Sequence, residues 1–217
     1  MALSDVILAA TLNNQAERYK EEGRYADAEP LYKQVLAINE QAFGPDHPSV
    51  ALALNDLAEL YKVEGRHADA ERLYKWAVAT WKKALGSDHP DVAQSLNNLA
   101  ELYSAQRRYA DAEPLYKRAL AIFEKAVGPD HPSVASALTN LASLYKEEAR
   151  YDDSESLYKR ALDIREKVLG PDHPDVAQSL INLADLYNVQ GRTADAEPLH
   201  KRALALKPGL KGSTPGS

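Results

Sequence analysis

A five-residue loop recurs at a constant interval along this chain, and this interval limits the possible folds more than any other feature. The loop Gly44–Pro48, with the sequence GPDHP, has copies that begin at Gly86, Gly128 and Gly170, which gives a 42-residue period. A period of roughly 20–50 residues is typical of repeat proteins, in which each supersecondary unit buries its apolar face only against its neighbours. We therefore expect a stack of similar units, folded as one array.

The first part of each unit is predicted to form a helix, here called helix A. A proline closes each loop, and proline suits the first helical turn because an N–H at that point would lack a partner in the helix. In the third copy Val92, Leu96, Leu99 and Tyr103 recur at the spacing of one helical face. Gly23, Gly65 and Gly191 follow the helix in three copies and suit a left-handed residue after a helix end. Arg107 and Ala149 replace this glycine in the other two copies.

The second part of each unit is predicted to form a longer helix, helix B, which ends at the next loop glycine. Pro30, Pro114 and Pro198 lie near its start. We expect either an irregular first turn or regular hydrogen bonding only from these prolines onward. The predicted A helices are 5–21, 48–63, 90–105, 132–147 and 174–189, and the predicted B helices are 25–43, 67–85, 109–127, 151–169 and 193–206. The five repeats are then about 5–43, 47–85, 89–127, 131–169 and 173–206.

Composition agrees with an all-α fold and excludes several function classes. The apolar residues are mostly Ala, Leu and Tyr, and Ala and Leu have high helix propensity. The net charge is -6 with no basic block, which argues against nucleic acid as a partner. The chain has no cysteine, and no apolar stretch reaches about 18 residues, the length of a membrane span. We expect a cytoplasmic protein with no membrane partner, no cofactor, no metal and no enzymatic activity, since no catalytic constellation is apparent.

The repeat resembles the tetratricopeptide helix-turn-helix unit, in which small and aromatic residues recur at fixed offsets, here Leu96, Ala100, Tyr103, Tyr116 and Ala119. The 42-residue period, the GPDHP loop and the segments Leu96–Ala100 and Ala112–Leu120 resemble, in particular, the repeats of kinesin light chains. This resemblance implies an all-α, right-handed superhelical solenoid of five antiparallel helix pairs over residues 1–207. It also implies an inner groove, lined by A helices, that receives an extended peptide or a partner helix.

The groove position implied by the resemblance lies two residues before a recurrent alanine of helix A. It holds amides in four copies and a carboxylate in one, which we call the ladder: Asn14, Asp56, Asn98, Asn140 and Asn182. An amide both donates and accepts, so a ladder of Asn can bind a peptide backbone without requiring one side-chain sequence. The alternative is that these side chains cap helices, bind a neighbouring helix or face water.

Two further positions are predicted to line the groove edges. The residue before the ladder includes Asn55 and Asn97, and the residue four before it includes Gln94, Ser136 and Gln178. Their variation is what peptide selectivity requires, but drift of a single sequence would look the same. Some tetratricopeptide domains bind the carboxyl terminus of a partner with a clamp of Lys and Arg side chains. Here Gln94, Ser136 and Gln178 stand where lysine would be expected, which argues against binding of a carboxyl terminus.

Two tryptophans form a second candidate interface, because Trp76 and Trp81 replace residues that are mostly polar in the other copies. Exposed tryptophan is enriched at interaction hot spots. The alternative is that the rings pack between adjacent B helices.

The four loop histidines look like a metal or catalytic series: His47, His89, His131 and His173. Each belongs to a different repeat, so neighbours should be about 10 Å apart, too far to share a zinc ion. We therefore predict that each histidine acts at a helix start.

Three functional hypotheses remain from the sequence. The first is a scaffold that binds a protein or peptide in the groove. The second is a structural module that self-assembles into homo-oligomers through repeat ends, because the last helix B has no polar capping helix after it. The third is a regulatory fragment of a larger multidomain protein. The tail, residues 208–217, has the composition of a flexible linker or a cloning remnant.

Overall fold

The computed structural model describes the backbone of residues 3–206 and the side chains of residues 5–206, and within this part of the chain all regular structure is helical. The tail predicted for residues 208–217 lies outside the described residues. Within residues 3–206, ten helices follow one another as five pairs: α1 (Leu3–Glu21), α2 (Tyr25–Phe43), α3 (Pro48–Val63), α4 (His67–Leu85), α5 (Pro90–Ala105), α6 (Tyr109–Val127), α7 (Pro132–Glu147), α8 (Tyr151–Leu169), α9 (Pro174–Val189) and α10 (Thr193–Leu206). The predicted all-α helix-turn-helix fold is confirmed, and the helix boundaries agree closely with the predicted ones.

The chain divides into two compact units, residues 1–122 and 123–217. In the first unit α1 packs on α2, α2 on α3, α3 on α4 and α4 on α5. In the second unit α7 packs on α8, α8 on α9 and α9 on α10. Within each unit a helix B therefore contacts both its own helix A and the next one, which is how a stacked repeat buries an apolar face that one pair alone would leave exposed.

The loop histidines begin the A helices, as the sequence predicted. The Nδ1 of His47 accepts from the backbone N–H of Ser49 at 3.1 Å, and the other three bind their helices in the same way at 3.1–3.2 Å. Each His is extended, and proline follows it as the first helical residue. Because the neutral imidazole supplies an acceptor to a helix N–H that lacks a partner in the helix, the histidines act as N-caps.

Pro30, Pro114 and Pro198 lie inside regular helices, which decides between the two expectations for these prolines. Helix α2 already begins at Tyr25, where the Arg24 carbonyl accepts from the backbone N–H groups of Asp27 and Ala28. The Arg24 guanidinium also binds the Asp27 carboxylate at 2.8 Å. These contacts start the helix a full turn before Pro30, which lacks the N–H that another residue would donate at that position.

Candidate functional site

The ladder lies on the side of each helix A that faces away from the core. The alanines two residues further on, Ala16, Ala58 and Ala100, are fully buried in the first unit, as are Ala142 and Ala184 in the second. Two residues turn a helix by about 200°, so the ladder side chains point away from these alanines. Asn14 is exposed, and the other four ladder residues are half-buried.

In each unit one ladder asparagine is held by the glutamine one turn before it. The Gln94 Nε2 donates to the Oδ1 of Asn98 at 3.0 Å, and the Gln178 Nε2 donates to the Oδ1 of Asn182 at the same distance. This contact occupies the amide oxygen and leaves the Nδ2 group available to an outside acceptor such as a peptide carbonyl. Ser136 differs, since its hydroxyl donates to the Pro132 carbonyl of its own helix at 3.3 Å. Ser136 therefore does not hold Asn140 in the way that Gln94 holds Asn98.

Asn55 and Asn97, which the sequence placed at the groove edge, lie in the packed interior. They are 9% and 5% exposed. The Asn55 Nδ2 donates to the Oγ of buried Ser95 at 2.8 Å and so joins α3 to α5. One residue turns a helix by about 100°, which carries Asn55 from the open face of α3 into the interface between α3 and α5. The Asn55 side chain therefore positions two helices, and the buried Asn97 side chain offers little surface to a ligand.

The two tryptophans have different environments. Trp76 is 42% exposed on α4, whereas Trp81 is 8% exposed and belongs to the core of the first unit. At the position of Trp76, the second unit has Arg160 and Arg202, which form ion pairs with Glu124 at 2.7 Å and with Glu166 at 2.5 Å. Trp76 therefore replaces a charged contact between B helices with an exposed ring.

A recurrent contact between repeats was not recognised from the sequence, although its members recur with the same 42-residue period. Glu29 on α2 accepts from the Tyr61 hydroxyl at 2.8 Å and from Arg66 at 3.1 Å, both belonging to the next repeat. The Arg66 guanidinium also stacks on the Tyr61 ring, 3.7 Å from its centroid. Hydrogen bonds from Lys33, Tyr61 and Arg66 lower the pKa of Glu29 to about 2, because they favour the charged carboxylate.

Asp56 is the one ladder carboxylate, and its surroundings disfavour the ionised form of its side chain. Burial and the nearby Glu17 carboxylate raise its pKa to about 6, while Lys20 and a hydrogen bond from Asn13 act in the opposite direction. Lys20 is already bound to Glu17 at 2.6 Å, and Lys62 is bound to Glu59 at 2.8 Å. Within residues 5–206, no basic side chain forms an ion pair with Asp56.

The described residues provide no group of three His, Asp or Glu side chains that could hold a metal ion. None of the described helices is long and apolar enough to span a membrane.

Comparison with known proteins supports the assignment of the repeat unit as a tetratricopeptide repeat. A family model described as tetratricopeptide repeat matches residues 7–83, 61–125, 91–152 and 133–208. Among curated protein sequences, none is significantly similar to the chain.

Three solved structures illustrate the similarity. BtubC (BKLC) from P. vanneervenii is 28% identical with a TM-score of 0.83, over 97% of this chain and 84% of that chain. A Podosopora anserina protein with nearly identical TPR-like repeats, assigned as a kinesin light chain, is 28% identical with a TM-score of 0.79, over 95% and 96% of the two chains. Aspartyl phosphate phosphatase F from Bacillus subtilis shares the fold alone, at 16% identity and a TM-score of 0.80, over 94% and 51%.

Proposed function

We propose that this chain, which belongs to the tetratricopeptide repeat family, is a scaffold that binds an extended peptide segment of a partner protein along the ladder of its A helices. Tetratricopeptide repeats generally mediate protein–protein interactions. The observation that supports the ladder as the binding surface is the pairing of Gln94 with Asn98 and of Gln178 with Asn182. It presents amide donors on the open face of helix A in both units.

The pairing favours recognition of a peptide backbone. A side chain that is already held in one orientation loses less conformational entropy when it binds than a free one. Amide donors match the carbonyl groups of an extended peptide, which have no partners within the peptide itself. The ladder positions would therefore supply affinity. The position four residues before the ladder would supply selectivity, because it differs between repeats: Ala10, Leu52, Gln94, Ser136 and Gln178.

The test is selection from a random peptide display library against the wild-type chain and against the double variant Asn98→Ala, Asn140→Ala. We expect the wild type to enrich peptides with a shared motif and the double variant to lose them. The matched control is Gln34→Ala, which removes an exposed amide from helix B of repeat 1 and should leave the selected motif unchanged. Circular dichroism confirms that each variant is folded.

Two outcomes would contradict the proposal. Enrichment of the same motif by the double variant would exclude the ladder as the binding surface. No enrichment by the wild type, together with a mass that rises with concentration in light scattering, would favour self-assembly instead. The exposed apolar residues at the start of α1, Ile7 at 57% and Leu8 at 45% exposure, would then be the first surface to examine.

A further inference from the structure

The first unit has a cleft at the junction of its first two repeats. It has a volume of about 290 Å³ and is lined by residues of α1, α2 and α3. Val6, Val35, Phe43 and Leu52 contribute apolar walls, and two ladder positions, those of repeats 1 and 2, lie in the same cleft. Val6 and Leu52 are 39% and 54% exposed. An apolar group that enters the cleft would therefore remove further apolar surface from water, which favours binding.

The cleft is open at a position where helix B of the first repeat has a small side chain, Asn39. Asn39 lines it, and the same repeat position holds Trp81 in the second repeat and Phe123 in the third. The Asn39 Nδ2 donates to the Ser49 carbonyl at 3.1 Å, which holds this side chain against the start of α3. An amide is much smaller than an indole, so Asn39 leaves open a volume that a ring at this position would fill.

Asp56 gives the cleft its chemical character, because it is the one charged side chain among the described residues that line it. The neighbouring acids already have partners, since Glu17 binds Lys20 and the Tyr32 hydroxyl, and Glu59 binds Lys62. The Oδ1 of Asn13, which also lines the cleft, is buried and accepts no hydrogen bond within the described residues. A half-buried carboxylate without a cation, next to amide oxygens and surrounded by apolar walls, matches a positively charged group on an aliphatic chain.

We propose that this cleft binds the lysine side chain of an extended peptide, with the methylene stem against the apolar walls and the ammonium bound by Asp56 and the amide oxygen of Asn13. The ammonium carries three hydrogen-bond donors at one point, which a carboxylate and adjacent amide oxygens can satisfy together. The inference rests on the proposed peptide-binding function, and it specifies one side chain of the partner. It predicts that the selected peptides contain a lysine at a fixed position.

The test compares two small probes that differ in the terminal charge, N-acetyl-lysine methylamide and N-acetyl-norleucine methylamide. Each is titrated into the full chain while amide signals of α1 and α3 are followed by NMR at pH 7.5. We expect the lysine probe to bind the wild type about tenfold more tightly than the norleucine probe. The physical reason is that the lysine ammonium forms a charge-assisted hydrogen bond with the Asp56 carboxylate, whereas the norleucine side chain ends in a methyl group that forms none.

Two variants use residues that the chain itself has at the equivalent positions. Asp56→Asn installs the amide of the other four ladder positions and should abolish the preference for lysine. Asn39→Phe installs the ring found at residue 123 and should weaken binding of both probes by filling the cleft. Should Asn39→Phe fail to fold, Asp56→Asn still decides the question.

Equal binding of the two probes to the wild type, or a lysine preference retained by Asp56→Asn, would overturn the inference. The result is separable from the display selection. A shared motif without lysine preference would refute the lysine cleft and leave the peptide-binding scaffold standing. Lysine preference without a shared motif would support the cleft while contradicting the longer groove.

Discussion

The junction between repeats 1 and 2 and the junction between repeats 2 and 3, both in the first unit, share one set of contacts and differ in another. In both, a glutamate of helix B accepts from a tyrosine and an arginine of the next repeat. Glu29 binds Tyr61 and Arg66, and Glu71 binds Tyr103 at 3.0 Å and Arg108 at 2.7 Å. On the groove side, the first junction has Asn39 and Asp56, whereas the equivalent positions in the second hold Trp81 and Asn98.

The difference separates what stacks the repeats from what distinguishes them. The shared contact lies near the turn between helices A and B, where stacking requires the same geometry each time. The differing residues lie near the end of helix B and on the ladder, where a filled core at one junction becomes a cleft at the other. Exchanging residues between the two junctions therefore tests which contacts provide stability and which provide recognition.

The largest expected effect comes from making the second junction resemble the first. Trp81 is a core residue with 8% of its surface exposed. Trp81→Asn leaves a cavity in its place, so we expect it to lower the free energy of unfolding by about 3 kcal/mol. Urea unfolding followed by circular dichroism measures this.

The matched control for Trp81→Asn is Asn39→Ala at the first junction. It loses the hydrogen bond to the Ser49 carbonyl and should cost about 1 kcal/mol. Equal losses in the two variants would show that Trp81 does not fill the second junction.

Asp56→Asn is expected to stabilise the free protein by about 1–2 kcal/mol at pH 8, because one pKa unit corresponds to about 1.4 kcal/mol and solvent screens part of the effect. The folded-state pKa of Asp56 is raised to about 6 from 3.8, so the native state binds a proton more tightly than the unfolded state. The wild type therefore loses stability as pH rises through this window, and the variant does not. Glu17 and Lys20 on α1 and Glu59 on α3 are the charged groups around Asp56, and they are unchanged in the variant.

Unfolding free energies measured from pH 4 to pH 8 test this prediction with an internal control. At pH 4 the two proteins should differ little, because Asp56 is protonated in the folded state. If the stability difference between the wild type and Asp56→Asn is constant with pH, the surroundings of Asp56 do not disfavour its charged form. That result would remove a main support for the lysine cleft.

The shared contacts should respond equally at both junctions. We expect Glu29→Gln and Glu71→Gln each to cost about 1 kcal/mol at pH 7, a modest value because solvent screens these partly exposed ion pairs. The pKa of each glutamate is lowered to about 2 from 4.5. Their stabilisation is therefore present above pH 4.5 and lost as pH falls towards 2.

Thermal unfolding at pH 7 and pH 2.5 measures this response, and Glu21→Gln, an exposed residue at the end of α1, is the control that should change nothing. A large loss at one junction and none at the other would show that the repeated geometry is not energetically equivalent.

The smallest effect concerns the turn after helix A. Gly65 has φ 75° in repeat 2, and Arg107 has φ 58° at the same place in repeat 3. A side chain in this left-handed region is strained, so Arg107→Gly should stabilise the protein by about 0.5–1 kcal/mol, and Gly65→Ala should destabilise it by a similar amount. Urea unfolding checks both. A loss of stability in Arg107→Gly would mean that the Arg107 side chain makes a favourable contact larger than the strain.

Helix positions were predictable because loop and turn residues recur at a fixed period. The histidine caps followed from the same alignment of copies. The structure adds that Arg107 and Ala149 keep the positive φ of the glycine that they replace. The regular start of α2 before Pro30 was not resolved by the sequence, because it depends on how Arg24 and Asp27 bind at that turn. Helix propensity alone does not show whether the contacts of Arg24 and Asp27 stabilise the first turn enough to offset the N–H that Pro30 lacks.

The candidate site was only partly predictable. The ladder could be assigned from the resemblance and the repeat register, but the burial of Asn55 depends on where the next helix A, α5, packs. Neighbouring residues on a helix point about 100° apart, so one can be exposed while the next is buried. The cleft was missed because its depth depends on Asn39 being small while apolar side chains of three helices form the walls around it. No single sequence position indicates such a volume.

The most direct test of the central claim is an NMR titration of the chain with a peptide from the display selection, following the side-chain amide signals of the ladder. We predict that the Nδ2 signals of the ladder asparagines shift with the same saturation curve, while the side-chain amide signal of Gln34 on helix B does not move. Shifts confined to B-helix residues around Trp76, with the ladder signals unchanged, would contradict the claim.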